Sequence, residues 1–167
     1  MSGAGPYGDF VCMVDDVVSR VYRALEETGE SGNTLIIFTS DNGAAFWPED
    51  IEASGHWANY VFSGMKSDLL EGGHRVPMIA TWPGRIAPGS ICEEPVCSTD
   101  FMATCAELLG QSLPNDVGED SFSYLKPMLG LSDGVSSRPA AIVHHSDKGY
   151  FAIRKGNWVL LDCHGSG

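Results

Sequence analysis

A carboxylate beside a carboxamide, Asp41-Asn42, follows directly on the apolar run Thr34-Leu-Ile-Ile-Phe-Thr39 and Ser40. Hard oxygen donors of this kind suit Ca²⁺ or Mg²⁺ rather than zinc or copper. In open α/β sheets ligands gather at the carboxyl ends of strands, which is where the pair falls. Gly43 lets the backbone turn away at once. Asp-Asn-Gly is also a common turn sequence, its side chains bonding the backbone that follows. Calcium takes about six to eight oxygens, so the other ligands must come from elsewhere.

A second group of residues follows a long loop, in Gly64-Met-Lys66 and Glu71-Gly-Gly-His74-Arg75-Val-Pro77. Lys66 offers a point charge to an anionic substrate, and the paired glycines allow close backbone approach. A lone lysine before a glycine turn is equally a solvated side chain. His56 and His74 lie near this region and are secondary substrate-binding candidates, although loop histidines are more often surface groups. Trp47 and Trp57 can line a sugar or aryl pocket or simply pack the loop. His144 and His145 are adjacent on an expected strand, so they face opposite sides and cannot share one metal.

The elements that must hold these residues read as an α/β layer. Val11, Val14, Val18, Val21 and Leu25 recur at helical spacing between Asp9 and Thr28, and Gly29 stops the helix. Thr34 to Thr39 reads as a buried central strand on which that helix packs, and Ala44 to Ser63 as a long loop without a period. Arg75 to Trp82 is a second strand. Thr99 or Asp100 can cap a helix reaching Leu109, with Gly110 as its stop. Ser112 to Arg138 is a connecting stretch. Ala140 to His144, Tyr150 to Arg154 and Trp158 to Leu161 then suggest a small antiparallel meander, separate from a parallel sheet.

Composition narrows the classes further. The 167 residues are 43% hydrophobic and 19% charged, as in a globular chain. A formal net charge of −12 opposes nucleic acid and anionic lipid as partners. No apolar run approaches the roughly 20 residues of a membrane span. The five cysteines form no C-x-x-C pair, so no disulfide framework is expected. The first residues carry no basic and apolar signal pattern, which leaves localisation open. The sequence enters a helix without a preceding strand and ends in His164-Gly-Ser-Gly167, so both ends read as cut.

Taken in order, Ser40-Asp-Asn-Gly43, Gly64-x-Lys66, Glu71-Gly-Gly-x-Arg75-Val-Pro77, Trp82-Pro-Gly84 and Gly89 resemble the sulfatase family of the alkaline-phosphatase-like superfamily. The reading Glu-Gly-Gly-His-Arg-Val-Pro is similar to bacterial arylsulfatase-like members. The resemblance extends from Tyr7–Gly29, with Asp15 and Asp16, through Val96–Leu109 and Gly118-Glu-Asp-Ser121 to Phe151-Ala-Ile-Arg154-x-Gly-x-Trp158. It implies a mixed sheet flanked by helices, with residues 1–138 the C-terminal part of the catalytic domain and 139–167 the start of a small antiparallel subdomain.

The resemblance also implies sulfuric ester hydrolysis, with Asp41 and Asn42 as half of a Ca²⁺ (or Mg²⁺) site and Lys66 on the sulfate. The substrate is then a sulfate ester, small molecule or glycan. In the family a formylglycine made from the Cys or Ser of a C/S-x-P/A-x-R motif attacks sulfur. No such motif stands in this sequence, nor do the family's N-terminal acidic ligands and upstream histidine, so activity of the isolated chain is not expected. Ser63 stands where relatives often carry Arg, and Val159 where Trp-Lys-Leu is usual. Relatives are commonly exported. The rival readings are a phosphatase or phosphodiesterase of the same superfamily, and a truncated, non-catalytic domain.

Overall fold

The computed structural model describes residues 2–131, 138 and 141–167, in two compact units, Met1–Pro83 with Ser166 and Gly84–Gly165 with Gly167. The first unit opens with α1 (Gly5–Thr28), which begins at a proline in its first turn and therefore earlier than the apolar stripe alone indicates. It ends where Gly29 turns left-handed at φ 76° and Glu30 N–H reaches back to Leu25 O at 2.9 Å. Val11 and Val21 remain 50% and 49% exposed, so the stripe is only partly covered, against the expectation that it packs flat on a sheet. Its first turn is anchored instead by Tyr7, whose ring meets buried Phe46 edge-on at 5.0 Å.

β1 (Ile36–Thr39) follows, shorter at its start than expected. The expected structureless loop contains α2 (Pro48–Ser54) and α3 (Glu71–His74) lies beyond it. α2 has a proline in its first turn, Asp50 accepting from Trp47 N–H at 3.1 Å, and left-handed Gly55 at its end. These are ordinary helix signals on a segment too short to show a period. β2 (Met78–Thr81) closes the unit and pairs antiparallel with β1, Ile36 opposite Thr81 and Thr39 opposite Met78. The parallel pairing assumed from the sequence is thus corrected for these strands. β1 is not central here, since β2 is its one ladder partner among the described residues.

The second unit holds α4 (Phe101–Leu108) and α5 (Leu125–Met128), the latter inside the stretch read as a plain connection. Asp100 is the N-cap residue of α4, as one of the two expected positions, but its side chain makes no capping bond to the helix. Ala103 N–H is satisfied by Ser121 Oγ at 2.9 Å, from a residue 18 positions on, while buried Asp100 accepts from Cys97 N–H at 2.8 Å and Phe122 N–H at 3.0 Å and pairs with Arg138. Arg138 also lies over the Phe122 ring at 4.8 Å. Thr104 Oγ1 links α4 to α5 by accepting from Tyr124 N–H at 3.1 Å.

The meander forms as expected, as β3 (Ile142–His145), β4 (Phe151–Lys155) and β5 (Trp158–Leu161), all antiparallel. Ala140, where β3 was expected to begin, lies outside the described residues. His144 is half-buried and His145 exposed, the alternation that the pleat dictates, and His145 meets Phe151 edge-on across the ladder at 4.8 Å. The five cysteines are free thiols. No helix is long and apolar enough to cross a membrane among the described residues.

Candidate functional site

Antiparallel pairing has a direct consequence for the site. The carboxyl end of β1 lies beside the start of β2, so the Ser40–Gly43 turn is brought to the Glu71–Pro77 segment that leads into β2. Gly43 N–H donates to Gly73 O at 2.9 Å and fixes the two segments together. A methyl group on Gly43 would overlap the Gly72 carbonyl oxygen and lie 2.7 Å from its carbon. Gly43 has no positive φ, so it is required for close approach rather than for turning freedom.

The paired glycines work in the same way. Gly72 and Gly73 are buried within α3, Gly72 N–H donates to Ser63 O at 2.7 Å, and side chains there would collide with Gly64 O and Asp68 O respectively. Two consecutive glycines disfavour a helix locally, and tertiary backbone packing overrides that preference over these four residues. Arg75, next in the motif, pairs with Glu71 one turn back and lies over Phe62 at 4.9 Å. It acts as an external brace, its side chain 53% exposed.

Asp41 is exposed and Asn42 half-buried at the end of β1. Ser40 Oγ donates to Asn42 O at 2.9 Å and Asn42 Nδ2 donates to Gly43 O at 3.0 Å, which leaves the amide oxygen of Asn42 as an acceptor. A hard cation would be met by that oxygen and the Asp41 carboxylate, so the donor set fits Ca²⁺ or Mg²⁺ in kind. Among the described residues no group of three or more His, Cys, Asp or Glu side chains gathers to hold a metal. Two such residues would by themselves fill only a part of a coordination sphere.

Lys66 is brought to the same place through its backbone. Its N–H donates to Ala44 O at 3.2 Å, two residues beyond Asn42, and its side chain is exposed. The preceding Met65 N–H is held by Asp68 Oδ2 at 2.9 Å, and Ser67 adopts a left-handed φ of 81°. His74, at the end of α3, has its imidazole held below the usual 6.5, first by burial and then by the adjacent Arg75 charge. The Glu71 carboxylate lies 3.8 Å from its Nε2. His56 is exposed and stacks edge-on against Phe46 at 5.7 Å, beside α2.

One residue that the sequence reading passed over binds this region together. Asn59 accepts from Ala44 N–H at 3.0 Å and donates to Ala44 O at 3.0 Å and Gly64 O at 3.1 Å. The available signal was a carboxamide set among aromatic residues in a long loop, a side chain with two N–H donors and a carbonyl acceptor.

Residues 3–111 match the model of the Sulfatase family. The chain belongs to the sulfatase family. An arylsulfatase of Hemicentrotus pulcherrimus is 37% identical over 159 residues, 94% of this chain and 27% of that protein. A solved structure connected with the metabolism of multiple glycosaminoglycans by Bacteroides thetaiotaomicron superposes with a TM-score of 0.86 at 31% identity, covering 96% of this chain and 34% of its own. Ps i-CgsB, solved in complex with k-i-k-neocarrahexaose, gives a TM-score of 0.76 at 25% identity over 98% of this chain and 35% of its own. This sulfatase-family chain thus spans about a third of the length of these relatives.

Proposed function

We propose that the chain supplies part of the active centre of a sulfuric ester hydrolase, with Lys66 on the sulfate and Asp41 and Asn42 on a calcium or magnesium ion. The observation that supports this is the bond from Lys66 N–H to Ala44 O, which joins the stretch that carries Lys66 to the stretch that follows Asp41 and Asn42. Lys66 would offset charge on the sulfuryl oxygens, and Asn42 would present its amide oxygen while its nitrogen is spent on Gly43 O. The ion, when bound, supplies Lewis-acid polarisation and orients the reacting oxygens. A sulfated glycan or small sulfate ester is the substrate class, on the analogy of one relative connected with glycosaminoglycan metabolism and another solved with a bound neocarrahexaose.

The test is calorimetric titration of the chain with inorganic sulfate and with calcium, next to Lys66→Ala and Asp41→Ala. Loss of a charged hydrogen-bond partner costs about 1.5–3 kcal/mol, so sulfate binding should weaken about tenfold or more in Lys66→Ala. Calcium binding should be weak in the parent and weaker in Asp41→Ala, because two protein ligands leave most of a shell of about six to eight oxygens to water. Sulfate and calcium affinities indifferent to both substitutions would remove the assignment. With no C/S-x-P/A-x-R motif in the sequence, an aryl sulfate should be turned over no faster than background by this chain alone.

A further inference from the structure

We propose that Asn59 is a positioning residue that sets the separation of the metal-binding and sulfate-binding loops, a role that rests on the assignment of Asp41, Asn42 and Lys66 above. Its carboxamide bonds Ala44 in both directions, Ala44 N–H to Oδ1 and Nδ2 to Ala44 O, as a strand neighbour would. Its second N–H goes to Gly64 O at 3.1 Å. Ala44 is two residues beyond Asn42 and Gly64 two residues before Lys66, so one side chain spans both loops. Without it, the direct bond between these stretches of chain is Lys66 N–H to Ala44 O at 3.2 Å.

The chemistry of the bridge is specific to a carboxamide. Aspartate keeps the acceptor and loses both donors, and an aliphatic side chain loses all three bonds. Asn59 is half-buried, where water competes less well for these groups. Its own backbone is held as firmly. Asn59 O accepts from Phe62 N–H at 3.0 Å, Trp57 O accepts from Tyr60 N–H at 2.9 Å, and Tyr60 takes a left-handed φ of 53°, which L side chains adopt only at a cost. The turn sustains that conformation and so keeps the Asn59 amide against Ala44.

The experiment compares the parent chain with Asn59→Ala by two readouts, amide hydrogen exchange and titration with inorganic sulfate. Exchange at Ala44 and Lys66 should accelerate about tenfold or more on loss of these bonds, while the β1–β2 ladder amides keep their protection. Sulfate affinity should fall about tenfold although Lys66 is intact, and Asn59→Ala should add little in a Lys66→Ala background, as expected of coupled groups. Should Asn59→Ala also expose the ladder, Asn59→Asp decides on the same readouts, with the Ala44 amide still protected and Lys66 exchanging faster. Unchanged exchange at Ala44 and Lys66 overturns the proposal. So does faster exchange with parental sulfate affinity, which would leave Asn59 a structural clip. A parent chain that binds no sulfate overturns the assignment of Lys66 and this role with it, whereas equal binding by parent and variant overturns the role of Asn59 alone.

Discussion

Replacing Gly43 by alanine adds one methyl group at the point where the Ser40–Gly43 turn meets α3. That carbon would overlap Gly72 O and lie 2.7 Å from Gly72 C and 3.1 Å from Gly73 C, all of them backbone atoms that cannot rotate away. Carbon pairs settle at about 3.5–4.0 Å and the added carbon would sit only 1.7 Å from Gly72 O, so the turn and α3 must part by more than about an ångström. The Gly43 N–H bond to Gly73 O, 2.9 Å long, cannot survive that shift. Overpacking costs about 1–3 kcal/mol and the lost bond about 1 kcal/mol, so a loss of about 3 kcal/mol is expected. With a urea dependence of about 2 kcal/mol per molar, the midpoint should fall by about 1.5 M. Tryptophan fluorescence can follow it, since Trp47, Trp57 and Trp82 all lie in this unit. Gly32→Ala is the control, because nothing lies within 4 Å of its added carbon and its φ is not positive. It should be neutral or stabilising by up to about 1 kcal/mol. Equal midpoints for Gly43→Ala and the parent would refute the claim that close backbone packing holds this site.

Asp100→Ala should lower the melting temperature by about 10 °C, because removing one partner of a buried pair costs about 3–5 kcal/mol, and it also orphans Cys97 N–H and Phe122 N–H. A double variant with Arg138→Met should recover part of that loss, and simple additivity in the melts would show that the pair is not coupled. Ser121→Ala removes the cap on Ala103 N–H and should cost about 1 kcal/mol in a urea melt, with no change in sulfate affinity. His74 titrates below 6.5 when folded, so the unfolded chain binds its proton more readily. Its contribution to stability is complete above 6.5 and is lost as pH falls from there through the folded value. Stability measured across that window should flatten in His74→Gln, and a slope unchanged by the substitution would contradict the assigned burial.

Long, strongly patterned elements were legible from sequence. α1 ends at Gly29 as its pattern required, and the meander follows from alternating residues broken by Asp147-Lys-Gly149 and Lys155-Gly-Asn157. What the sequence did not reveal was short or depended on distant partners. α2 carries a proline start and a glycine stop, but its seven residues are too few to show a hydrophobic period. α3 contains Gly72-Gly73, which argues against a helix until the backbones of Ser63, Gly64 and Asp68 are seen against it. The side-chain acceptor for Ala103 N–H at the start of α4 comes from Ser121, beyond the reach of any local capping rule.

The same distinction runs through the candidate site. Residue types could be read directly, since a carboxylate, a carboxamide and a lysine advertise their chemistry wherever they stand. Their juxtaposition could not, because it depends on the direction of strand pairing. Had β1 and β2 run parallel, the end of β1 would have faced the end of β2 near Trp82, and Glu71–Pro77 would have lain at the opposite edge. Antiparallel register puts Thr39 against Met78 instead and so carries Gly72 and Gly73 to Gly43. Once those glycines touch, Ser63 is drawn in by Gly72 N–H and Ala44 meets Lys66, while Asn59 closes the remaining gap. The glycine spacing is therefore the sequence's record of a three-way backbone contact, and the charged residues occupy the loops that this contact brings together.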